Sequence, residues 1–448
     1  MIKVGLISLG CSKNQVDSEL ILGTVSSENS LEVVDDLNIA DIIIINTCGF
    51  IQAAKEESIE TILEAARLKE TAELKGIIVT GCLTQRYKDE ILKEIPEVDA
   101  ILGTGTFGDI NQVINDVLNG KRVSNIGNPS YSYKASLPRI ITDSHFAYVK
   151  IAEGCNNNCT YCSIPKIRGP FYSRQIEDIE EEVRHLTDQG IKEIILVAQD
   201  ITRYGEDIYN RAVLPELLKR LIKNKDIAWL RLMYSYPENV SEELIELIAR
   251  EDRICNYLDL PIQHSSDRIR RLMNRRASRE ELTGLVSKLR ERIPDIVIRT
   301  SIIVGFPGEG DEEFQDLLRF IEEVEFDRLG VFKYSQEEGT AAAKFSNQIS
   351  DDLKDARYNR IMEIQQKISY NNNQKMINRH LDVIIDEIND NTAIGRTQYD
   401  APEIDNQIYI PADNIEIGDM VNCKIREAYE YDLIGELNNE ATKDEFTK

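Results

Sequence analysis

The densest chemistry in the chain is Cys155-Asn156-Asn157-Asn158-Cys159-Thr160-Tyr161-Cys162, three thiols at the spacing Cys-x3-Cys-x2-Cys. Thiolates are the usual protein ligands of iron–sulfur clusters, and a four-iron cluster takes four of them. With three local thiols, one iron would stay open to a substrate or cofactor, whereas a pure electron carrier has its ligands filled. Structural zinc is a rival reading, but it wants four closed ligands, commonly from paired Cys or His clips. His145 is the nearest histidine, and it falls on the far side of the preceding predicted strand.

A second set is dispersed. Cys11 stands in Leu9-Gly10-Cys11, Cys48 in Asn46-Thr47-Cys48-Gly49 and Cys82 in Thr80-Gly81-Cys82. Each follows a predicted strand. In an open parallel sheet the carboxyl ends of the strands form one edge, and ligands bind in the crevice there. The three thiols should therefore meet, and Gly10, Gly49 and Gly81 beside them would let the backbone approach a bulky ligand. The alternative is three ordinary core cysteines, a residue type that is often buried. Cys255 and Cys423 have no partners in such positions and read as packing residues.

The elements that must position these thiols follow from periodicity. Residues 1–122 alternate strand-like segments (Lys3 to Leu9, Ala40 to Asn46, Gly76 to Thr80) with helix-like ones (Ser18 to Ser26, Ala53 to Leu68), which predicts a parallel sheet with helices on its faces. Residues 123–143, with Gly127, Pro129, Ser130, Ser132 and Pro138, read as a linker. In residues 144–374 six strand candidates alternate with helical patterns such as Ile176 to Asp188 and Glu280 to Arg292. They are Phe146 to Ile151, Glu193 to Ala198, Trp229 to Tyr234, Tyr257 to Ile262, Val297 to Val304 and Arg328 to Tyr334. That predicts a partial or full (β/α) barrel. A helix from about Asp351 to Asn378 follows, with Leu353, Ile361, Ile364 and Ile368 as its apolar stripe. Residues 375–448 hold short strand candidates separated by turns, the pattern of a small β-barrel.

Composition sets the outer bounds. The 448 residues carry 53 Lys and Arg against 78 Asp and Glu, a formal net charge of −25, which disfavours a phosphate backbone as partner unless a local basic patch exists. No apolar run reaches membrane-spanning length, and the opening MIKVGLISLG lacks a secretory pattern. The expectation is a cytoplasmic protein without membrane contact, and in such a reducing compartment eight cysteines point away from disulfides.

The cysteine loop, with Tyr161 just before its last thiol and the first barrel strand just before its first, resembles the radical S-adenosylmethionine (SAM) superfamily. The resemblance implies a [4Fe-4S] cluster on Cys155, Cys159 and Cys162. Its fourth iron would bind SAM, and reductive cleavage would yield a 5′-deoxyadenosyl radical. Together with Cys11, Cys48 and Cys82, the whole chain resembles the radical SAM methylthiotransferase family, which has an N-terminal cluster domain, a radical SAM barrel and a C-terminal TRAM β-barrel. That implies a second [4Fe-4S] cluster on the N-terminal triad carrying the sulfur to be inserted, one SAM to methylate it and another to supply the radical. An external electron donor would be required, and no acid–base pair is needed for hydrogen abstraction.

Members of the family modify tRNA adenosine or a ribosomal protein. Ser8-Leu9-Gly10-Cys11-Ser12-Lys13-Asn14 with Val16-Asp17-Ser18-Glu19, Tyr257-Leu258-Asp259-Leu260-Pro261-Ile262-Gln263-His264 through Asp267-Arg268, and Tyr431-Asp432-Leu433-Ile434-Gly435-Glu436 are similar to the protein-modifying type. Residues 375–448 hold 7 Lys or Arg against 17 Asp or Glu. Such a module would repel tRNA phosphates and attract a basic ribosomal protein. The resemblance then implies methylthiolation of an aspartate β-carbon in the small-subunit ribosomal protein numbered twelve, free or on the ribosome. The alternatives are a tRNA adenosine methylthiotransferase and a non-enzymatic iron–sulfur carrier of electrons or clusters. Gln199 and Asp200 at the end of the second barrel strand, Gln263, Arg299 and Ser301 at or near later strands, and Gly305 after the fifth are candidates for SAM contact, with backbone-satisfied polar groups as the bland alternative. Arg168-Gly169-Pro170 and Ser173-Arg174 are candidates to approach SAM or substrate, or to form a structural turn.

Overall fold

A computed structural model of the chain describes residues 1–71, 73–129 and 135–438. Ser130 and Ser132 of the predicted linker and the last ten residues of the C-terminal module lie outside the described residues.

The N-terminal unit is a six-stranded parallel sheet. Its strands are β1 (Ile2–Ser8), β2 (Leu31–Val33), β3 (Ile42–Thr47), β4 (Gly76–Gly81), β5 (Ala100–Leu102) and β6 (Val123–Asn125), in the spatial order β2-β1-β3-β4-β5-β6. Ile42 to Ile45 are fully buried, as expected for a strand covered on both faces. Helix α1 (Ser12–Ser26) leaves β1, and α2 (Gln52–Thr71) leaves β3. The three short strands β2, β5 and β6 carry too few residues for a periodic signal. β6 occupies Val123 to Asn125, where the sequence reads as the start of a linker.

The second unit is an open barrel of six parallel strands flanked by helices. The strands are β7 (Phe146–Lys150), β10 (Glu193–Val197), β11 (Trp229–Leu232), β12 (Tyr257–Asp259), β13 (Val297–Val304) and β14 (Arg328–Lys333). A two-stranded antiparallel hairpin, β8 (Ala152–Glu153) with β9 (Tyr172–Ser173), carries the cysteine loop between its arms. Two three-stranded sheets, β7-β10-β11 and β12-β13-β14, meet through a single parallel bridge between Leu230 and Ile254. Val297–Val304 is observed as predicted, whereas the other five predicted strands run one to three residues past the observed carboxyl ends, where the residues leave the ladder.

The third unit is a closed five-stranded barrel of β15 (His380–Asn389), β16 (Thr392–Thr397), β17 (Gln407–Pro411), β18 (Met420–Ala428) and β19 (Asp432–Leu437). The helix Asp351–Gln374 delivers the chain to it. Its Ile361, Ile364 and Ile368 are buried as predicted, but Leu353 in the first turn is 39% exposed. The helix stops at Gln374 rather than Asn378, which takes a left-handed φ of +68°, and Ser369, Asn373 and Gln374 donate side-chain hydrogen bonds to carbonyls of Ala428, Tyr429 and Glu430. This small barrel plugs the amino-terminal floor of the large one. Glu193, first residue of β10, is sandwiched between Arg231 (2.7 Å) and Arg396. Arg328, first residue of β14, bonds Asp400 at 2.6 Å, and the Tyr257 hydroxyl bonds Asp405 at 2.6 Å. The two carboxyl-terminal mouths, of the sheet and of the large barrel, are thus left free to face each other.

Candidate active site at the barrel mouth

Cys155, Cys159 and Cys162 lie just past β8, at the carboxyl end of the first barrel strands. Gly154 makes the turn possible. Its φ is +68°, and a Cβ there would stand 2.0 Å from the Pro170 carbonyl oxygen. The loop is held from several sides. The Cys155 N–H donates to the Gly169 carbonyl, and Asn157 donates to the Asp200 carboxylate at 2.8 Å. Thr160 donates to the backbone of Leu272 and Met273. The Asn157 N–H points at Cys155 Sγ (3.4 Å), the Ile164 N–H at Cys162 Sγ (3.5 Å), and the Tyr236 hydroxyl lies 2.7 Å from Cys159 Sγ. Donors aimed at sulfur suit metal-bound thiolates, whose clusters are tuned by such bonds. Burial pushes the Cys155 thiol up to about 11, against the opposing pull of the Asn157 N–H, so without metal Cys155 favours the neutral thiol that a bound metal would deprotonate.

The dispersed triad converges as well. Cys11 caps α1, Cys82 begins the short helix after β4, and Cys48 sits between them beyond β3. Gly10 has φ +97°, and a Cβ on it would meet Cys48 Cβ at 2.8 Å and Cys48 Sγ at 3.2 Å. Cys82 Sγ lies 3.7 Å from Asn14 Oδ1, and Asn14 itself clamps the carbonyls of Leu9 and Thr47, one from each neighbouring strand. The glycines serve this convergence rather than ligand approach: a Cβ on Gly49 would strike the Leu83 backbone, and one on Gly81 the backbone of Thr47. The three thiols feel each other's charge. Burial, then Cys82, raises Cys48 to about 12, and burial also raises Cys82. For Cys11 the surrounding protein pushes upward, but Lys13 and Arg168 outweigh it and hold the thiol below its ordinary value. Among the described residues no three His, Cys, Asp or Glu side chains are close enough to hold a single metal ion, so neither triad has the spacing of a mononuclear site.

The two triads share a wall. Lys13, two residues after Cys11, places its ammonium 3.0 Å over the ring of Tyr234 at the end of β11, a residue held at φ +65°. Arg168, six residues after Cys162, is 1% exposed and reaches into the N-terminal unit to donate to Asn14 Oδ1 at 2.5 Å and to Asp17 at 3.1 Å. Lys150 bonds Asp17 (2.5 Å) and Glu153 (2.6 Å), closing a buried ring of two cations and two carboxylates. On the far side Glu337, in the loop after β14, binds Lys55 (2.9 Å) and Arg86 (2.7 Å) of the N-terminal unit. Sequence reading left Lys13, Asn14, Asp17, Tyr234 and Tyr236 unassigned. The legible trace was a helix α1 whose start mixes buried polar residues with Val16, Leu20 and Ile21 instead of segregating them.

The remaining candidates divide. Gln199 and Gln263 are half-buried just beyond the ends of β10 and β12, Ser301 is half-buried in the middle of β13, and Gln263 takes φ +71°. Asp200 is fully buried and engaged with Thr202 and Asn157, so it orients the cysteine loop. Gly305, at φ +70°, donates its N–H to the Glu309 carboxylate (2.9 Å) and abuts the Lys354 side chain. Arg299 must be corrected. It is the third residue of an eight-residue strand and bonds Asp259 (3.0 Å) and Asp405 (3.4 Å), which places it at the floor against the small barrel. There it borders a cavity of about 240 Å³ shared with Arg328, Gln365 and Tyr431, at the opposite end from the cysteines. Arg174 likewise turns away from the mouth, to Asp178 and Glu182.

A six-stranded parallel barrel with a three-cysteine loop after its first strand defines a radical SAM enzyme, and residues 149–321 match the Radical SAM superfamily. Residues 3–103 match Uncharacterized protein family UPF0004, and residues 377–437 match the TRAM domain. Two solved radical SAM structures share the fold at low identity. The methyltransferase TsrM from Kitasatospora setae, with cobalamin and a [4Fe-4S] cluster bound, has a TM-score of 0.56 at 14% identity, covering 74% of this chain and 75% of that one. The cobalamin-dependent enzyme OxsB has 0.53 at 14%, covering 82% and 58%. Full-length relatives narrow the class. The chain is 48% identical over 440 residues to the Ribosomal protein uS12 methylthiotransferase RimO of Clostridioides difficile, covering 98% of this chain and 99% of that protein. It is 50% identical over 443 residues to that of Desulforamulus reducens, covering 98% and 100%. The chain belongs to the RimO family of radical SAM methylthiotransferases.

Proposed function

We propose that this chain replaces a β-carbon hydrogen of an aspartate in ribosomal protein uS12 with a methylthio group, in the cytoplasm, using two [4Fe-4S] clusters. The observation that carries the reading is the pair of three-cysteine sets on two units joined by the Arg168–Asn14 bond and the Lys13–Tyr234 contact, in a chain nearly half identical to RimO proteins along its whole length. Cys155, Cys159 and Cys162 would hold the cluster that supplies one-electron SAM cleavage, and Cys11, Cys48 and Cys82 the cluster that supplies sulfur. The chain's own residues do the rest. Asp200 and Asn157 fix the cysteine loop, Tyr236 covers Cys159, and Gln199 and Gln263 beyond the strand ends and Ser301 within β13 offer polar groups to SAM. Lys13 and Tyr234 close the seam between the units and keep water from the crevice.

Anaerobic reconstitution tests this directly. The intact chain should bind about eight irons, and a variant with Ala at Cys11, Cys48 and Cys82 about four, still cleaving SAM without transferring sulfur. Modification of tRNA adenosine with uS12 left untouched would overturn the substrate assignment. SAM left intact by the reduced protein would favour an electron or cluster carrier.

A further inference from the structure

Arg168 belongs by sequence to the radical SAM unit, but its guanidinium is spent on the other site. One nitrogen bonds Asn14 Oδ1 at 2.5 Å, and that same oxygen lies 3.7 Å from Cys82 Sγ. The other nitrogen forks both oxygens of Glu153 at 3.2 Å. The surrounding ring is balanced only while Arg168 is present: Lys150 and Arg168 face Asp17 and Glu153, all of them buried. Of the two cations, Arg168 is the one that shares a hydrogen-bond partner with a thiol of the N-terminal triad. A fixed positive charge beside sulfur stabilises the more negative redox state.

We propose that Arg168 is a positioning residue that sets the reduction potential of the N-terminal cluster, so that the radical SAM loop and the sulfur-carrying site are electrostatically linked through one side chain. The inference rests on the reading that Cys11, Cys48 and Cys82 hold a cluster. One-electron reduction adds one negative charge to that cluster with no proton taken up. Replacing Arg168 with a neutral residue leaves Asp17 and Glu153 facing Lys150 alone, and the net negative ring opposes the incoming electron. Asp17→Asn removes a carboxylate from the same ring and acts in the opposite sense.

The test is a dithionite potentiometric titration of the full-length, reconstituted protein followed by electron paramagnetic resonance. The radical SAM cluster is identified by the change in its signal when SAM is added. In Arg168→Gln the SAM-insensitive midpoint moves to more negative potential, lowering the reduced-to-oxidised ratio at the parent midpoint by about tenfold, or about 59 mV for one electron. The SAM-sensitive midpoint stays in place, Arg168→Lys titrates close to the parent, and Asp17→Asn moves positive. An unmoved midpoint in Arg168→Gln with full iron content overturns the proposal, as do equal shifts in the Gln and Lys variants. If Arg168→Gln loses the N-terminal irons, Asp17→Asn decides: a positive shift supports the linkage and no shift refutes it. A parent chain binding only four irons would refute the two-cluster reading and this inference together, whereas eight irons with unmoved midpoints refute this inference alone.

Discussion

At the scale of single residues, the site depends on backbone conformations that side chains cannot adopt freely. Gly154 turns the chain into the cysteine loop against Pro170. Gly154→Ala forces a left-handed alanine into a carbonyl, a strain on the order of 1–3 kcal/mol. We expect it to strip the iron of the barrel cluster, about four of eight per chain, and to leave the N-terminal iron, as counted by anaerobic iron and sulfide analysis. Asp200 acts one step further out. Its carboxylate receives the Asn157 amide and the Thr202 hydroxyl, so Asp200→Ala loosens the loop without removing a ligand. Iron content should hold while 5′-deoxyadenosine formation falls by about tenfold to a hundredfold, the usual cost of a small misplacement. An unchanged rate would mean that the loop is held adequately by Thr160 and Cys155 alone.

Elements meet in this protein through buried charge, and that makes their docking sensitive to pH. Glu193 starts β10 and lies between Arg231 and the small barrel's Arg396. Burial alone would raise its carboxyl, but the two guanidiniums outweigh it and hold it below the ordinary 4.5. A carboxyl lowered on folding adds stability that is complete above its unfolded value and lost as the pH falls through the folded one. Arg396→Met should therefore cost about 3–5 kcal/mol near neutrality, the price of leaving a buried charge half paired. That deficit should shrink below about pH 4, as read by urea unfolding of the metal-free chain at both pH values. A deficit that persists in acid would assign the loss to the Arg396 guanidinium stacked over the Phe146 ring instead.

At the scale of the whole molecule, three units are joined by buried ion pairs. The small barrel closes the floor, Glu337 ties the last barrel loop to Lys55 and Arg86, and Arg168 ties the cysteine loop to α1. Among the described residues no helix is long and apolar enough to cross a membrane. The net charge of −25 then governs encounter. Binding to the basic protein uS12 should show an association rate that falls by about tenfold or more from low to high salt, with a smaller change in dissociation. Binding to tRNA in the same series should be weak throughout. Tight tRNA binding with a steep salt slope would locate a basic surface that the charge balance hides.

The two cysteine sets, the α/β alternation, the six barrel strands and the closing β-module were legible in the chain, because thiol spacing and hydrophobic period are local properties. The three-residue strands β2, β5 and β6 were not, since their pairing partners rather than their own residues make them strands. Arg299 looked like a mouth residue because it lies in a strand of the right unit; which end of the barrel it occupies is a matter of register against β12 and β14. The sequence by itself determined which thiols could act, since their type and spacing are written in it. Only the tertiary structure decided that Arg168, from the unit of one set, reaches Asn14 and Asp17 beside the other. Those are contacts between residues 151 or more positions apart, and no local pattern encodes them.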